Sequence, residues 1–445
     1  MKLFGTDGIR GRANEYPITP EIALRTGRAI SRALGSDDFK VLIGKDTRES
    51  GAMLEAALIS GLVSEGATVY LAGQIPTPAI ALLTEATGCS AGVMLTASHN
   101  PYEDNGIKIF GPDGFKLPDE LEERVEELIL SRDTEAPPEG QSLGAVMQMA
   151  DASARYLEFL KTAVGETSFT GKKVVIDCAH GAGYVVGPVI FQALGAEVIV
   201  LGNEPDGRNI NAGVGSLHTE RAAALVRENN ADLGACLDGD ADRVIFIDEK
   251  GIEVPGDNLL CLAALALKEK GELKGDTLVG TVMSNLGLRD ALEAAGLSLK
   301  TTAVGDRHVL QEMRDSGFTL GGENSGHIIF SDHANTGDGI LSALKVLEMM
   351  VVKQKPLSEL AQCLDAYPQL LVNLQVNEKP PITEVEGLPE AIKQAEDEFG
   401  KNGRVFVRYS GTEKKIRVLV EAQDAELAQK HSDKICAVVR ETIGV

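Results

Sequence analysis

Apolar positions along this chain recur with a period of about 3.6 residues in some stretches and alternate in others, so helices and strands are expected to follow one another. An amphipathic helix is predicted over Pro20 to Leu34, then a strand over Lys40-Val41-Leu42-Ile43-Gly44 that runs into the charged loop Lys45-Asp46-Thr47-Arg48. A helix from about Gly51 to Glu65 and a strand at Thr68 to Ala72 follow. The apolar run Ala91-Gly92-Val93-Met94-Leu95 reads as a buried strand, which Asn100-Pro101 ends abruptly because a residue before proline avoids helical geometry. Just behind it, Ile107 and Ile109 alternate with Lys108 as in a half-buried strand. Isoleucines turned to the core would turn Lys108 toward a cleft beside Ser98. This βαβ rhythm implies a mostly parallel sheet with its loops gathered at one edge.

The rhythm breaks over Ser131 to Gly144, around Pro137-Pro138-Glu139-Gly140, where a first domain ends and a connecting helix over about Met149 to Val164 begins. A second unit has strands at Lys173 to Asp177, Glu197 to Leu201 and Asp232 to Leu237, with a helix from the Gly181-Ala182-Gly183 turn to Leu194. A third starts near Glu253, with helices over Asn258 to Lys270 and Leu286 to Ala295 and a strand at Thr277 to Val282. Ala366-Tyr367-Pro368 opens the last, which has strands at Leu370 to Val376, Gly403 to Tyr409 and Ile416 to Val420 and a helix over about Leu388 to Phe399. The expected domains are residues 1–150, 151–252, 253–367 and 368–445. The fold class is α/β.

Composition narrows the function. A net charge of −23, aromatics at 4% and no tryptophan argue against nucleic-acid and anionic-membrane partners. An acidic protein that handles phosphates must concentrate its cations locally or recruit a metal. The six cysteines lie far apart without metal or redox spacing, as expected of buried free thiols in a reducing compartment. The start lacks the apolar core of a signal peptide, and the run Leu259 to Leu267 is about half a membrane span. A cytoplasmic location is expected.

Candidate chemistry gathers in the loops. Thr96-Ala97-Ser98-His99-Asn100-Pro101 sets a hydroxyl at a strand-to-loop corner, and an activatable hydroxyl near the Lys108 cation suits phosphoryl transfer. Taken alone, the stretch also reads as a plain Asn-Pro turn. Gly5-Thr6-Asp7-Gly8-Ile9-Arg10-Gly11-Arg12 reads as a short loop whose glycines admit a ligand and whose arginines bind phosphate, or as a simple turn. In Asp238-Gly239-Asp240-Ala241-Asp242-Arg243, three carboxylates at alternate positions can converge on one hard cation. A calcium helix-loop-helix is excluded. Glu249 falls at the twelfth loop position, but Arg243 stands at the sixth, where glycine is needed, and the flanks read as strands. A solvated acidic hairpin is the alternative. Two like charges ~4 Å apart at an effective dielectric of ~20 repel by roughly 4 kcal/mol, so a phosphorylated Ser98 facing this loop requires a cation between them. Arg243 is placed to hold a phosphate or sugar oxygen.

Charge again follows a strand at Gly305-Asp306-Arg307-His308. Gly321-Gly322-Glu323-Asn324-Ser325-Gly326-His327 forms a polar loop between strands, fit for sugar-hydroxyl recognition by Glu323 and Ser325 with His327 titratable near neutrality, or a decorated hairpin turn. Arg408-Tyr409-Ser410-Gly411-Thr412-Glu413 suits an anion-binding nest or an exposed turn.

Together these loops offer a nucleophile, a metal site, sugar-recognition groups and a phosphate clamp. The chain resembles the α-D-phosphohexomutase superfamily over essentially its whole length, through Leu3-Phe4-Gly5-Thr6-Asp7-Gly8-Ile9-Arg10-Gly11, Val304-Gly305-Asp306-Arg307, Glu323-Asn324-Ser325-Gly326-His327 and the Arg408 to Glu413 phrase. Its likeness is greatest to the branch acting on glucosamine phosphates. The resemblance implies four domains around a central cleft, three similar mixed α/β units and a smaller C-terminal α+β domain. It implies Ser98 as phosphoserine, with Asp238, Asp240, Asp242 and the Ser98 phosphate holding one Mg²⁺. Arg10, Lys108 and His327 match positions that assist proton transfer and charge stabilisation. Glu323 and Ser325 match sugar readers, with Arg243, Asp306 and Arg307 counted among the substrate-binding residues. Arg408, Ser410, Gly411, Thr412 and Arg417 match the distal phosphate clamp. Ala241 departs from a glycine common in the family, and Lys414 from a proline.

The implied reaction interconverts glucosamine 6-phosphate and glucosamine 1-phosphate through glucosamine 1,6-bisphosphate, feeding UDP-N-acetylglucosamine synthesis. Rival readings are a mannose or glucose phosphomutase, a metal-dependent phosphatase and a non-catalytic sugar-phosphate sensor. The sequence leaves open whether the chain forms a homodimer and whether Ser98 is charged by a kinase or by autophosphorylation.

Overall fold

The computed structural model describes residues 3–5, 7–35, 38–131, 142–410 and 414–445. The stretch Pro137-Pro138-Glu139-Gly140 lies outside them. Packing divides the chain into two units, one of Met1–Met283 with Lys300–Gln362 and one of Ser284–Leu299 with Cys363–Val445.

In the first unit a seven-stranded sheet runs in the order Phe4–Gly5, Gly8–Arg12, Asp104–Phe110, Ala91–Leu95, Lys40–Lys45, Thr68–Gln74, Val146–Gln148. Lys40–Lys45 is parallel to both Ala91–Leu95 and Thr68–Gln74, as the βαβ pattern predicts. The other edge is antiparallel, so the sheet is mixed where the sequence implied mostly parallel pairing. Two causes are local. The connection from Leu95 to Asp104 is too short for a parallel crossover, which takes about a dozen residues or more. The glycine-rich start, read as a loop, is instead a hairpin whose Ile9 is fully buried opposite Ile107.

Ala91–Leu95 is buried at every position and central in the sheet. On one face Val93, Leu95, Ile107 and Ile109 pack with Ile30, Leu58 and Val125 from the helices Pro20–Leu34, Gly51–Ser64 and Asp119–Leu130. Helix Thr77–Ala86 packs against the same central strands. A second sheet orders Glu253–Val254, Val244–Ile247, Leu233–Leu237, Lys173–Asp177 and Glu197–Leu201. Leu233–Leu237 and Val244–Ile247 form an antiparallel hairpin, with the acidic loop at its turn. In a third sheet Leu320–Glu323 lies parallel to Thr277–Thr281 and antiparallel to His327–Phe330.

The second unit holds a three-stranded antiparallel sheet in the order Gln369–Gln375, Lys415–Ala422, Gly403–Tyr409. Ile416, Val418 and Val420 alternate into a core with Leu388, Phe399, Ile435 and Val439 from the helices Leu388–Phe399 and Ala425–Thr442.

One buried polar pair in the first unit gives a stability prediction. Asp338 caps the helix Gly339–Lys353, its Oδ1 accepting the Leu341 N–H at 2.9 Å while Tyr156 donates to Oδ2 at 2.7 Å. Burial pushes the Asp338 carboxyl up to about 6 from an ordinary 3.8, against the pull of those two hydrogen bonds. The folded pKa lies above the unfolded one, so as pH rises the unfolded chain ionises first and stability falls until the folded carboxyl has also ionised. Asp338→Asn keeps an acceptor for Leu341 and turns a donor to the tyrosine oxygen. It is expected to exceed wild type by about 2–3 kcal/mol above about pH 7 and to lose that advantage below about pH 4. Urea unfolding at both pH values checks this; an advantage independent of pH would refute it.

Candidate active site

Ser98 follows the central strand at the end of a short, rigid corner. Its side chain is buried and its φ is +54°, a left-handed conformation that costs a non-glycine residue about 1–2 kcal/mol. Its Oγ donates to Asp238 Oδ2 at 2.6 Å and lies 3.2 Å from His99 Nδ1. Burial and the nearby Arg243 and Arg10 cations push the His99 imidazole down to about 4, which leaves it neutral beside the hydroxyl. The nucleophile candidate and the acidic loop are thus in direct contact.

The loop approaches this closely because residue 239 has no side chain: a Cβ there would lie 2.5 Å from the Ser98 carbonyl oxygen. Ala241 adopts φ +59°, a left-handed conformation that glycine would take more freely. Asp238, Asp240 and Asp242 are buried and each turns an oxygen to within 4.8 Å of the others, the one such group found among the described residues. Glu249 points elsewhere, accepting the Ser358 N–H at 3.2 Å. Asp240 Oδ1 and Asp242 Oδ1 are buried with no hydrogen-bond partner. Burial and the charges of Asp242 and Asp240 hold the Asp238 carboxyl well above the usual carboxylate range. Orphaned hard oxygens beside a carboxylate that resists ionisation fit a divalent cation at this loop.

Lys108, which the strand alternation turned toward a cleft beside Ser98, reaches the acid loop that Ser98 touches; it is buried there, and its charge is answered by acids. Its Nζ lies 2.8 Å from Asp240, 3.0 Å from Asp242 and 3.3 Å from Asp7. Burial alone would depress the ammonium, but Asp240, Asp242 and Asp7 raise it well above its ordinary value. Burial also works against ionisation of Asp240, whose carboxyl is nevertheless lowered by the charge and hydrogen bond of Lys108 and by a 2.5 Å bond from Thr77. Asp7 also pairs with Arg10 and with Lys116, whose Nζ bridges Asp7 at 2.5 Å and Asp306 at 2.6 Å. Asp306 lies 3.6 Å from His327 Nε2, and His327 Nδ1 lies 3.9 Å from Asp242. Gly337 donates its N–H to His327 Nε2 at 3.1 Å, an approach only glycine permits, since a Cβ there would lie 2.4 Å from the ring. Arg10, Lys108, His327 and the acid loop therefore share one network of polar contacts.

Arg243 reaches His99 Nδ1 at 3.2 Å through Nη1, while its Nε lies 3.8 Å from Asp242 and makes no hydrogen bond. Glu323 accepts the Gly305 N–H at 3.0 Å and so joins the two phrases that precede and follow the helix Asp306–Ser316. Asp306 and Arg307, noted as charge after a strand, form the first turn of that helix. The Arg307 guanidinium is engaged by Asp119 and Glu122, while Ser325 is exposed.

In the second unit Arg408 and Arg417 are directly opposed across neighbouring strands. Burial and the Arg417 charge lower the Arg408 pKa, as expected of two guanidiniums sharing one face. Arg417 Nε is buried without a partner. Ser410 donates its N–H to the Lys415 carbonyl at 2.8 Å, and its own carbonyl accepts Lys379 Nζ at 2.6 Å. Gly411 and Thr412 lie outside the described residues. Arg408, Arg417 and Lys379 place three cations in this part of the second unit, the charge that an anion would need.

Sequence reasoning passed over Asp7, Thr77 and Lys116 as site residues, together with Asp46, Arg48 and Asn211 beneath Ser98. Asp7 lay inside a quoted phrase, and Arg48 inside a loop noted only for its charge. Lys116 and Asn211 carry no local signal, because their partners are remote in sequence.

Models of the phosphoglucomutase/phosphomannomutase family match the chain throughout, with α/β/α domain I over residues 1–136, domain II over 154–251, domain III over 255–367 and the C-terminal domain over 371–438. The chain belongs to this family. It is accordingly an isomerase, a phosphosugar mutase. A phosphoglucosamine mutase of Halalkalibacterium halodurans is 51% identical across all of this chain and 99% of the relative. Among solved structures, a phosphoglucomutase/phosphomannomutase family protein of Burkholderia thailandensis superposes with TM-score 0.81 at 22% identity over 99% of both chains. The Aspergillus fumigatus N-acetylphosphoglucosamine mutase, solved with GlcNAc-6P and magnesium, gives TM-score 0.69 at 20% identity, covering 99% of this chain and 96% of that one. The four-domain phosphohexomutase architecture implied by the sequence is the fold of this mutase. No helix among its described residues is long and apolar enough to cross a membrane.

Proposed function

We propose that the chain interconverts glucosamine 6-phosphate and glucosamine 1-phosphate, with Ser98 as the group that lends and reclaims the phosphoryl. The observation that carries this reading is the 2.6 Å contact between Ser98 Oγ and Asp238 of the acid loop. The amino sugar is supported by full-length relatives named phosphoglucosamine mutase, at 50% and 51% identity.

Asp238, Asp240 and Asp242, with the phosphate on Ser98, would hold Mg²⁺, which when bound offsets negative charge on the transferring phosphoryl group. Lys108 offsets part of the charge of Asp240 and Asp242 and so lessens the repulsion between the acid loop and that phosphate. In the forward direction the phosphorus–oxygen bond to Ser98 breaks as one forms to the C1 hydroxyl of glucosamine 6-phosphate. On balance the C1 hydroxyl's proton passes to the freed Ser98 oxygen and, in the second half, from there to the C6 oxygen, with Arg10, Lys108 and His327 stabilising the charge that develops. The resulting 1,6-bisphosphate turns around, and its 6-phosphoryl passes to Ser98 Oγ, which regenerates the phosphoserine and releases glucosamine 1-phosphate. Glu323 and Ser325 would read the sugar hydroxyls, with Arg243, Asp306 and Arg307 completing the substrate-binding set. Arg408, Ser410, Gly411, Thr412 and Arg417 would grip whichever phosphate is not reacting. Ser98 would first be charged by the bisphosphate or by a kinase. A cytoplasmic place, ahead of UDP-N-acetylglucosamine formation, follows from the same reading.

The test is a rate comparison on the 6-phosphates of glucosamine, mannose and glucose. Glucosamine 6-phosphate is expected to turn over at least about 10-fold faster than either, since a site that hydrogen-bonds an amino group loses that bond with other sugars. Faster turnover of mannose or glucose would reject the amino-sugar assignment. Net phosphate release without any 1-phosphate would favour a phosphatase.

A further inference from the structure

Ser98 is held in its left-handed conformation by groups that never approach the reacting atoms. Its N–H donates to Thr96 Oγ1 at 2.9 Å, and Thr96 in turn donates to Asp46 Oδ2 at 2.7 Å. Its carbonyl accepts from Arg48 Nη2 at 3.0 Å and from Asn211 Nδ2 at 2.9 Å. The same two donors reach the Asn100 carbonyl, at 2.8 Å and 3.0 Å. Arg48 then spends Nη1 on the Asp104 carbonyl at 3.0 Å and on the Pro101 carbonyl, and Nε on Asp46 at 2.9 Å. A guanidinium has five N–H donors, and each has its acceptor here. Arg48 is 3% exposed and has no donor left for a substrate phosphate.

Resting on the phosphoserine reading above, we propose that Arg48 and Asn211 are positioning residues. They clamp the nucleophile loop so that Ser98 Oγ meets the acid loop. Arg48 acts from the strand-to-helix turn beside the loop. Asn211 acts from the segment that also contacts the acid loop, since a Cβ on Gly239 would meet Asn211 Nδ2 at 2.9 Å as well as the Ser98 carbonyl. Asn211 therefore sets the two reacting loops relative to each other. A lysine at 48 would keep the charge but could not reach four carbonyls in a plane.

Arg48→Lys is expected to lower kcat about 100-fold and Asn211→Gly about 10-fold, with KM for the phosphosugar changed less than about threefold, because a misplaced nucleophile affects the chemical step and not the binding. Asn211 has φ +60°, which glycine adopts freely, so the second variant is expected to melt like wild type. If Arg48→Lys fails to fold, Asn211→Gly decides alone. A kcat within twofold of wild type, or a raised KM at constant kcat, overturns the proposal. A wild type inactive on all three sugar phosphates would reject the functional reading only. Crystals of Asn211→Gly would then decide the positioning role: Ser98 relaxed out of the left-handed region upholds it, and Ser98 unmoved overturns it.

Discussion

Ser98→Ala is expected to lower mutase turnover by roughly 10⁴-fold or more while the protein remains folded, since removing the nucleophile of a covalent mechanism abolishes the step it carries. The fold should tolerate the change because the corner is held by backbone groups. The Ser98 N–H and carbonyl make the bonds to Thr96, Arg48 and Asn211, and the lost oxygen contributes only the contacts to Asp238 and His99. Alanine also accepts this geometry, as Ala241 does at φ +59° in the facing loop. The remaining activity is then a measure of chemistry and not of folding. Intact mass spectrometry should find the phosphoryl group on the wild type and none on the variant, and a coupled assay for glucosamine 1-phosphate reports turnover. Full activity in the alanine protein would remove Ser98 from the mechanism.

Asp240→Asn should weaken divalent-cation binding by about 10²–10³-fold and turnover by a comparable factor, because one of three hard, charged ligands becomes a neutral amide. It should also destabilise the metal-free protein. Breaking a buried ion pair costs about 3–5 kcal/mol when it strands the partner's charge. Lys108 is not fully stranded, since Asp242 at 3.0 Å and Asp7 at 3.3 Å still face it. A loss of about 2–3 kcal/mol, at or just below the bottom of that range, is therefore expected. Unfolding in chelator measures the ion-pair part, and titration calorimetry with Mg²⁺ measures the ligand part. Unchanged Mg²⁺ affinity would remove Asp240 from the metal site, and unchanged stability would mean that Lys108 is compensated elsewhere.

The local elements were legible where their signal is local. The apolar run Ala91–Leu95 became the central strand, and the carboxylates of Asp238, Asp240 and Asp242 did converge. The glycine-rich start misled, because its three glycines hide a strand anchored by Ile9. At Asp306 and Arg307 the charge after a strand gave no sign of the helix they begin, whose buried positions come only further on, at Val309, Leu310 and Met313.

The order of residues by itself determined the family, the nucleophile candidate and the candidate metal loop, since each is a short run of chemically specific side chains. What it could not determine is how charges from distant runs are paired. Only the folded chain puts the Lys108 ammonium between Asp240, Asp242 and Asp7, and turns four of the five Arg48 donors to carbonyls from Ser98 to Asp104 and the fifth to Asp46. The physical reason is burial. In water each of these charges would be satisfied by solvent wherever it stood, whereas inside the protein each must find its partner, and tertiary structure alone selects which.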